Sequence, residues 1–238
     1  LAAIALSIQI YTAKWYRGNL NLNRVKKRSS SSKGTAVTNR GKVTAAISIL
    51  VLILTSKMAY LAGITSFYSF YLIERFQLSV QEAQWCVFAF LAAGAAGTFF
   101  GGPLSDLWGR RNVIWFSILG ALPFAFLLPY VNFQISIVFC IIIGFTIMSS
   151  GSVNVVYAQE LLPGNIGTVS GLFFGLAFGA GGLGAALLGM LADSTSIDYV
   201  IKLCAFLPLL GLLAIFLPSD RKLAQWATEA EARQSVSQ

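Results

Sequence analysis

The chain has 238 residues, of which 56% are hydrophobic and only 11% charged, less than half the charged share of about 25% in a soluble domain. That balance excludes an ordinary soluble protein and, for most of the length, disorder. With no histidine and three scattered cysteines (Cys86, Cys140, Cys204), it also excludes His-based zinc sites, Ser-His-Asp triads and a disulfide framework.

Residues 1–12, LAAIALSIQIYT, are apolar and run into basic sequence. A signal peptide has its charges before the apolar run. The stretch therefore reads as the end of a membrane helix that begins upstream. Residues 13–42 hold nine Lys or Arg, no acid, and four consecutive Ser at 29–32. Beside long apolar runs, such a segment marks a basic cytoplasmic linker rather than a nucleic-acid site.

Six apolar runs follow, near 43–72, 83–104, 112–130, 134–158, 165–190 and 198–218. Each is close to the ~20 residues that a helix needs to cross a bilayer. They are continuous, whereas barrel strands alternate over about ten residues. The expectation is an all-α membrane protein with a six-helix transmembrane bundle over 43–218 and a polar cytoplasmic tail over 219–238. Lys and Arg cluster in the linker, at Arg110 and Arg111, and in the tail, against Arg75 and Lys202 on the other side. The positive-inside rule then puts linker and tail in the cytoplasm. Ser79-Val80-Gln81-Glu82 has capping-box spacing before the second run.

The loop after the second run reads GGPLSDLWGRRNVIWFSILG, with Gly102, Asp106, Gly109, Arg110 and Arg111 in register. Gly102 would let a neighbouring helix come close. Asp106 suits a helix N-terminus, and Gly109 suits a tight turn. Arg110 or Arg111 could pair with Glu160 at the near end of the fourth run and latch two helices in one conformation. The plain alternative is that both arginines only obey the positive-inside rule. This pattern resembles the G-x-x-x-D-x-x-G-R-[RK] loop signature of the major facilitator superfamily. YAQELLPGNIG at 157–167 is similar to the E-x-x-P-x-x-x-R signature of its sugar-type members, with Gly167 where that pattern has Arg.

A narrower resemblance rests on VIWFSILG (113–120), VYAQELLPG (156–164), GLFFGLAFG (171–179) and AFLPLLGLLAIFLP (205–218). These look like the fosmidomycin-resistance proteins, a facilitator subfamily that exports a phosphonate antibiotic. The resemblance implies the C-terminal six-helix half of a secondary transporter in a bacterial inner membrane. It also implies alternating access, a drug substrate, a proton as coupling ion, and an N-terminal six-helix half as partner.

Within the spans, Lys57 stands about 20 Å along its helix. A mid-membrane charge costs about 2.5–3.5 kcal/mol on insertion scales and reads as functional by default. Tyr60, Tyr68 and Tyr71 share its helix face, and the stripe reads as the wall of an aqueous cavity. Lys57 would pair with an acid outside this stretch, attract an anionic substrate, or sit neutral; a structural lysine is the plain alternative. Ser150, Asn154 and Tyr157 make a second polar face at i, i+4, i+7, read as substrate-binding or as interhelical glue. Gly167, Gly171, Gly175 and Gly179 recur every four residues and predict a helix-packing face, with the second run as partner.

No cofactor, metal or enzyme activity is expected. There is no GxxxxGK[ST] phosphate loop to support ATP-driven transport. A facilitator for another metabolite or sugar, and a non-transporting six-helix scaffold, are the competing readings.

Overall fold

The computed structural model describes residues 40–161 and 166–217. The expected helix end at 1–12, nearly all of the linker, Pro163 and the tail at 219–238 lie outside the described residues.

Helix α1 (Arg40–Phe76) starts just inside the expected linker and stops where Gln77 takes a left-handed φ of 55°. Ser79 then opens α2 (Val80–Trp108) with the capping box that its spacing predicts. The Ser79 hydroxyl accepts from the Glu82 N–H, and the Glu82 carboxylate accepts from the Ser79 N–H at 2.9 Å. The third span is interrupted: α3 (Arg110–Leu119), then α4 (Leu122–Leu127) and a 3-10 turn (Leu128–Tyr130). Asn132 caps α5 (Phe133–Ser149), which breaks at Ser150 before α6 (Gly151–Leu161) completes the fourth span. Helix α7 (Ile166–Ser194) is the fifth. Ser196 caps α8 (Ile197–Cys204), and a 3-10 segment (Leu207–Phe216) finishes the sixth.

Six segments are long and apolar enough to cross a membrane: Thr44–Phe76, Val80–Trp108, Arg110–Tyr130, Phe133–Glu160, Gly167–Ser194 and Ile197–Phe216. They coincide with the six expected runs, and the described residues contain no strand.

Helix α1 packs along α7 and against both parts of the last span, while α2 packs along α5. The buried face of α2 is Ala83, Cys86, Phe90, Gly94, Gly97, Gly101 and Ser105, a helical stripe dominated by small side chains. A Cβ on Gly97 or Gly101 would collide with the backbone of Phe145 or Ser149, so the two helices meet backbone to backbone, as small-residue faces allow. The opposite faces carry Trp85, Phe88, Phe99, Phe100, Phe178 and Met190 in the open. Apolar surface on that scale suits acyl chains, not water.

Candidate functional site

The core-facing stripe of α1 is Ala46, Leu50, Ile53, Lys57, Tyr60, Ile64, Tyr68 and Tyr71, all buried. Steps of three and four residues keep these positions on one helix face. Lys57 therefore occupies a core position. Its ammonium donates to the Ser117 hydroxyl on α3 and, at 2.6 Å, to the Ser150 hydroxyl at the break between α5 and α6. The Ser117 hydroxyl in turn donates a hydrogen bond to the Ile114 carbonyl at 2.7 Å. Further along α1, Tyr68 shares a 2.6 Å hydrogen bond with the Ser136 hydroxyl. The Tyr68 and Tyr71 rings stack with centroids 6.1 Å apart.

The face expected to line a cavity is closed in this structure. Lys57 is 5% exposed, Tyr60 and Tyr71 1%, and Tyr68, Ser150, Asn154 and Tyr157 0%. All seven side chains instead face their own bundle. The polar stripe was legible, but its direction was not: Leu50, Ile53 and Ile64 on the same face mark it as core.

At one end of the bundle the loop signature takes shape around Gly109, whose φ of 85° favours glycine. Arg110 pairs with Glu160, so the start of α3 is tied to the end of α6. Arg111 turns elsewhere and donates to the Ile215 carbonyl at 3.3 Å, near the end of the last span. Asp106 is exposed and has no hydrogen-bond or ion-pair partner among the described residues. Gly102 differs from its expected role: a Cβ there meets nothing within 4 Å, and the close approach belongs to its neighbour Gly101.

The glycine row on α7 also departs from expectation. A Cβ on Gly167, Gly171, Gly175 or Gly179 meets nothing within 4 Å. Helix α2 does not pack along α7; α1 does, through Gly184 against Ala59. The reason is geometric: the small face of α2 is already filled by α5.

Sequence reasoning missed the opposite end. Arg75 donates to the Tyr71 hydroxyl at 2.7 Å and to the Pro129 carbonyl, and lies 3.4 Å from Asp198, which also pairs with Lys202 at 2.6 Å. This clamp joins the first, third and sixth spans. Arg75 and Asp198 stand 123 positions apart, so no local spacing announces it. Ser117 and Ser136 were missed for the same reason. Among the described residues no cluster of His, Cys, Asp and Glu could hold a metal.

The family model described as Major Facilitator Superfamily matches residues 44–238. The chain is 51% identical over 220 residues to the fosmidomycin resistance protein of Escherichia coli (strain K12), covering 92% of this chain and 53% of that protein. It is 43% identical over 228 residues to an uncharacterized MFS-type transporter, YfnC, of Bacillus subtilis (strain 168), covering 95% of this chain and 55% of that one. The chain thus spans about half the length of the curated relatives it matches. Among solved structures, the inward-open xylose transporter XylE of E. coli aligns with a TM-score of 0.61 at 18% identity, over 80% of this chain and 50% of that one. A D-xylose-proton symporter aligns with a TM-score of 0.58 at 16% identity, over 82% and 52%. These two likenesses concern the fold. With a family model over most of its length and six spans in the matching architecture, this multi-pass membrane chain belongs to the Major Facilitator Superfamily, whose members are transporters.

Proposed function

We propose that the chain is the C-terminal six-helix half of a bacterial inner-membrane exporter. It would move a small anionic drug of the phosphonate class outward in exchange for protons by alternating access. The observation that carries this reading is the 51% identity, over 92% of the chain, to a protein named for fosmidomycin resistance. Arg110 and Arg111 put their end of the bundle in the cytoplasm, with the linker 13–42 and the tail 219–238.

In this reading the Arg110–Glu160 pair is the conformational latch. It holds α6 to the Gly109 turn on the cytoplasmic side, and its breakage lets α6 move. Asp106 and Gly102 face outward from this half and act on a partner helix. The open glycine row Gly167, Gly171, Gly175 and Gly179 is the face against which a second six-helix half rocks. Lys57 and the six buried residues that share its polar faces would meet substrate only in a conformation that opens this face of the bundle.

The test is drug susceptibility. The intact gene, expressed in a fosmidomycin-sensitive strain, should raise the tolerated fosmidomycin concentration and lower its accumulation. Equal sensitivity with and without the protein would sink the drug reading.

A further inference from the structure

Lys57 has chemistry that the export reading leaves unused. Its two hydroxyl partners lie at the ends of interrupted helices: Ser117 in the last turn of α3, which stops at Leu119, and Ser150 as the cap of α5, which stops at Ser149. A helix C-terminus carries about half a negative charge on its unpaired carbonyls. The two hydroxyls that meet the ammonium stand at two such breaks.

The full charges on the surrounding elements stand at the bundle ends. Arg110 and Arg111 open α3, Glu160 closes α6, Glu82 and Asp106 lie near the two ends of α2, Asp193 ends α7, and Asp198 and Lys202 belong to α8. Between them the titratable groups packed in the core are the phenols of Tyr60, Tyr68, Tyr71 and Tyr157 and the thiols of Cys86, Cys140 and Cys204. The ammonium is thus held by two hydroxyls, with no carboxylate beside it among the described residues.

On either side of this point along the bundle axis stand buried polar atoms with no partner among the described residues. One is the Tyr60 hydroxyl, a turn beyond Lys57 toward the Arg75 end. The others are both amide atoms of Asn154, a turn beyond Ser150 toward Glu160. Buried polar groups in native proteins are nearly always satisfied, by protein or by ordered water. Ordered water inside the bundle would satisfy these atoms.

We propose that Lys57 is the proton carrier of this half, filled past Tyr60 from one membrane face and emptied past Ser150 and Asn154 to the other. The inference rests on the proton-exchange reading above and places the proton inside the six-helix bundle, apart from the substrate route between halves. In the step, a hydronium ion beside Tyr60 gives its proton to the amine lone pair, its O–H bond breaking to leave water, and the resulting ammonium docks on Ser117 and Ser150. Later one N–H bond breaks, its electron pair stays on nitrogen, and the proton passes to water beside Asn154. The docked cation ties α1 to α3 and α5 through charge-assisted hydrogen bonds, and the neutral amine, with two N–H bonds and no charge, ties them less tightly. Loading and unloading therefore change how the first span is held.

The experiment uses the intact transporter in vesicles that enclose a pH-sensitive dye, with fosmidomycin as probe. Two readouts are compared: net drug movement with its proton flux, and drug-for-drug exchange, which needs no net proton transfer. Lys57→Met removes the amine. Lys57→Arg keeps a permanent cation and guards against simple misfolding. Both should lower proton flux at least tenfold, on the scale of a lost acid–base group, with exchange kept within about twofold. Tyr60→Phe and Asn154→Leu should lower proton flux several-fold. Proton flux surviving in Lys57→Arg would overturn the proposal. So would loss of exchange in step with flux in both Lys57 variants, since Lys57 would then serve substrate or scaffold. Drug movement with no proton flux in the unaltered protein would instead remove the proton-exchange reading on which the proposal stands.

Discussion

Two glycine-rich helix faces look alike in the sequence and behave oppositely in the structure. On α2, Gly94, Gly97 and Gly101 face α5, where an added Cβ would meet Met148, Phe145 or Ser149. On α7, Gly167, Gly171, Gly175 and Gly179 face open space. Both rows step by three or four residues, as a face for close helix contact does. The difference teaches that small-residue spacing predicts the kind of contact but not its partner. One face is consumed in holding the bundle together, and the other meets nothing among the described residues.

The largest effect that can break this comparison is a large side chain on the filled face. Gly97→Leu would drive four heavy atoms into the Phe145 backbone. Backbone cannot step aside as a flexible side chain can, so the cost should reach or exceed about 3 kcal/mol, the upper range for overpacking. Little folded protein should be recovered after detergent extraction, measured by size-exclusion profile and thermal midpoint. Normal recovery would mean that α2 and α5 are not in close contact.

A smaller effect is expected at the Arg110–Glu160 pair. Its side chains are 26% and 48% exposed, so solvent screening holds its contribution to about 0.5–1 kcal/mol. A double-mutant cycle of Arg110→Ala and Glu160→Gln should return a coupling energy of that size in the thermal midpoint. If the pair is a latch, each single change should also alter turnover several-fold with little change in fosmidomycin binding. Equal loss of binding would make the pair part of the drug site instead.

The legible and illegible parts of the molecule divide along physical lines. Spans, the cap at Ser79 and the turn at Gly109 follow from local composition, and each needs only a few neighbouring residues. The stripe of Lys57, Tyr60, Tyr68 and Tyr71 was also local, because helical spacing alone puts them on one face. What lay across that face was not local. Ser117 is 60 positions from Lys57, and Ser150 is 93. Both are single hydroxyls in apolar runs, with no spacing that would single them out. The shift from Gly102 to Gly101 as the site of close approach has the same origin. One residue turns a helix face by about 100°, so the facing element decides which glycine matters, and the facing element is distant in sequence.

The smallest effect sharpens the comparison most, because its sign differs between two measurements. Gly171→Ala adds a methyl group where nothing lies within 4 Å. Alanine is the better helix former by up to about 1 kcal/mol, so the described bundle alone should lose no stability and can gain a little. If a second half rocks against that face, the same methyl group holds the two surfaces apart, and transport by the intact protein should fall while its folding does not. The same change at Gly184, where a Cβ would lie 3.1 Å from Ala59, should instead lower the thermal midpoint, since that contact lies within the bundle. Unchanged transport in Gly171→Ala, together with in-bundle destabilisation at Gly184, would leave the open row as lipid-facing surface. Loss of transport at Gly171 with no loss of folding would identify it as the moving seam.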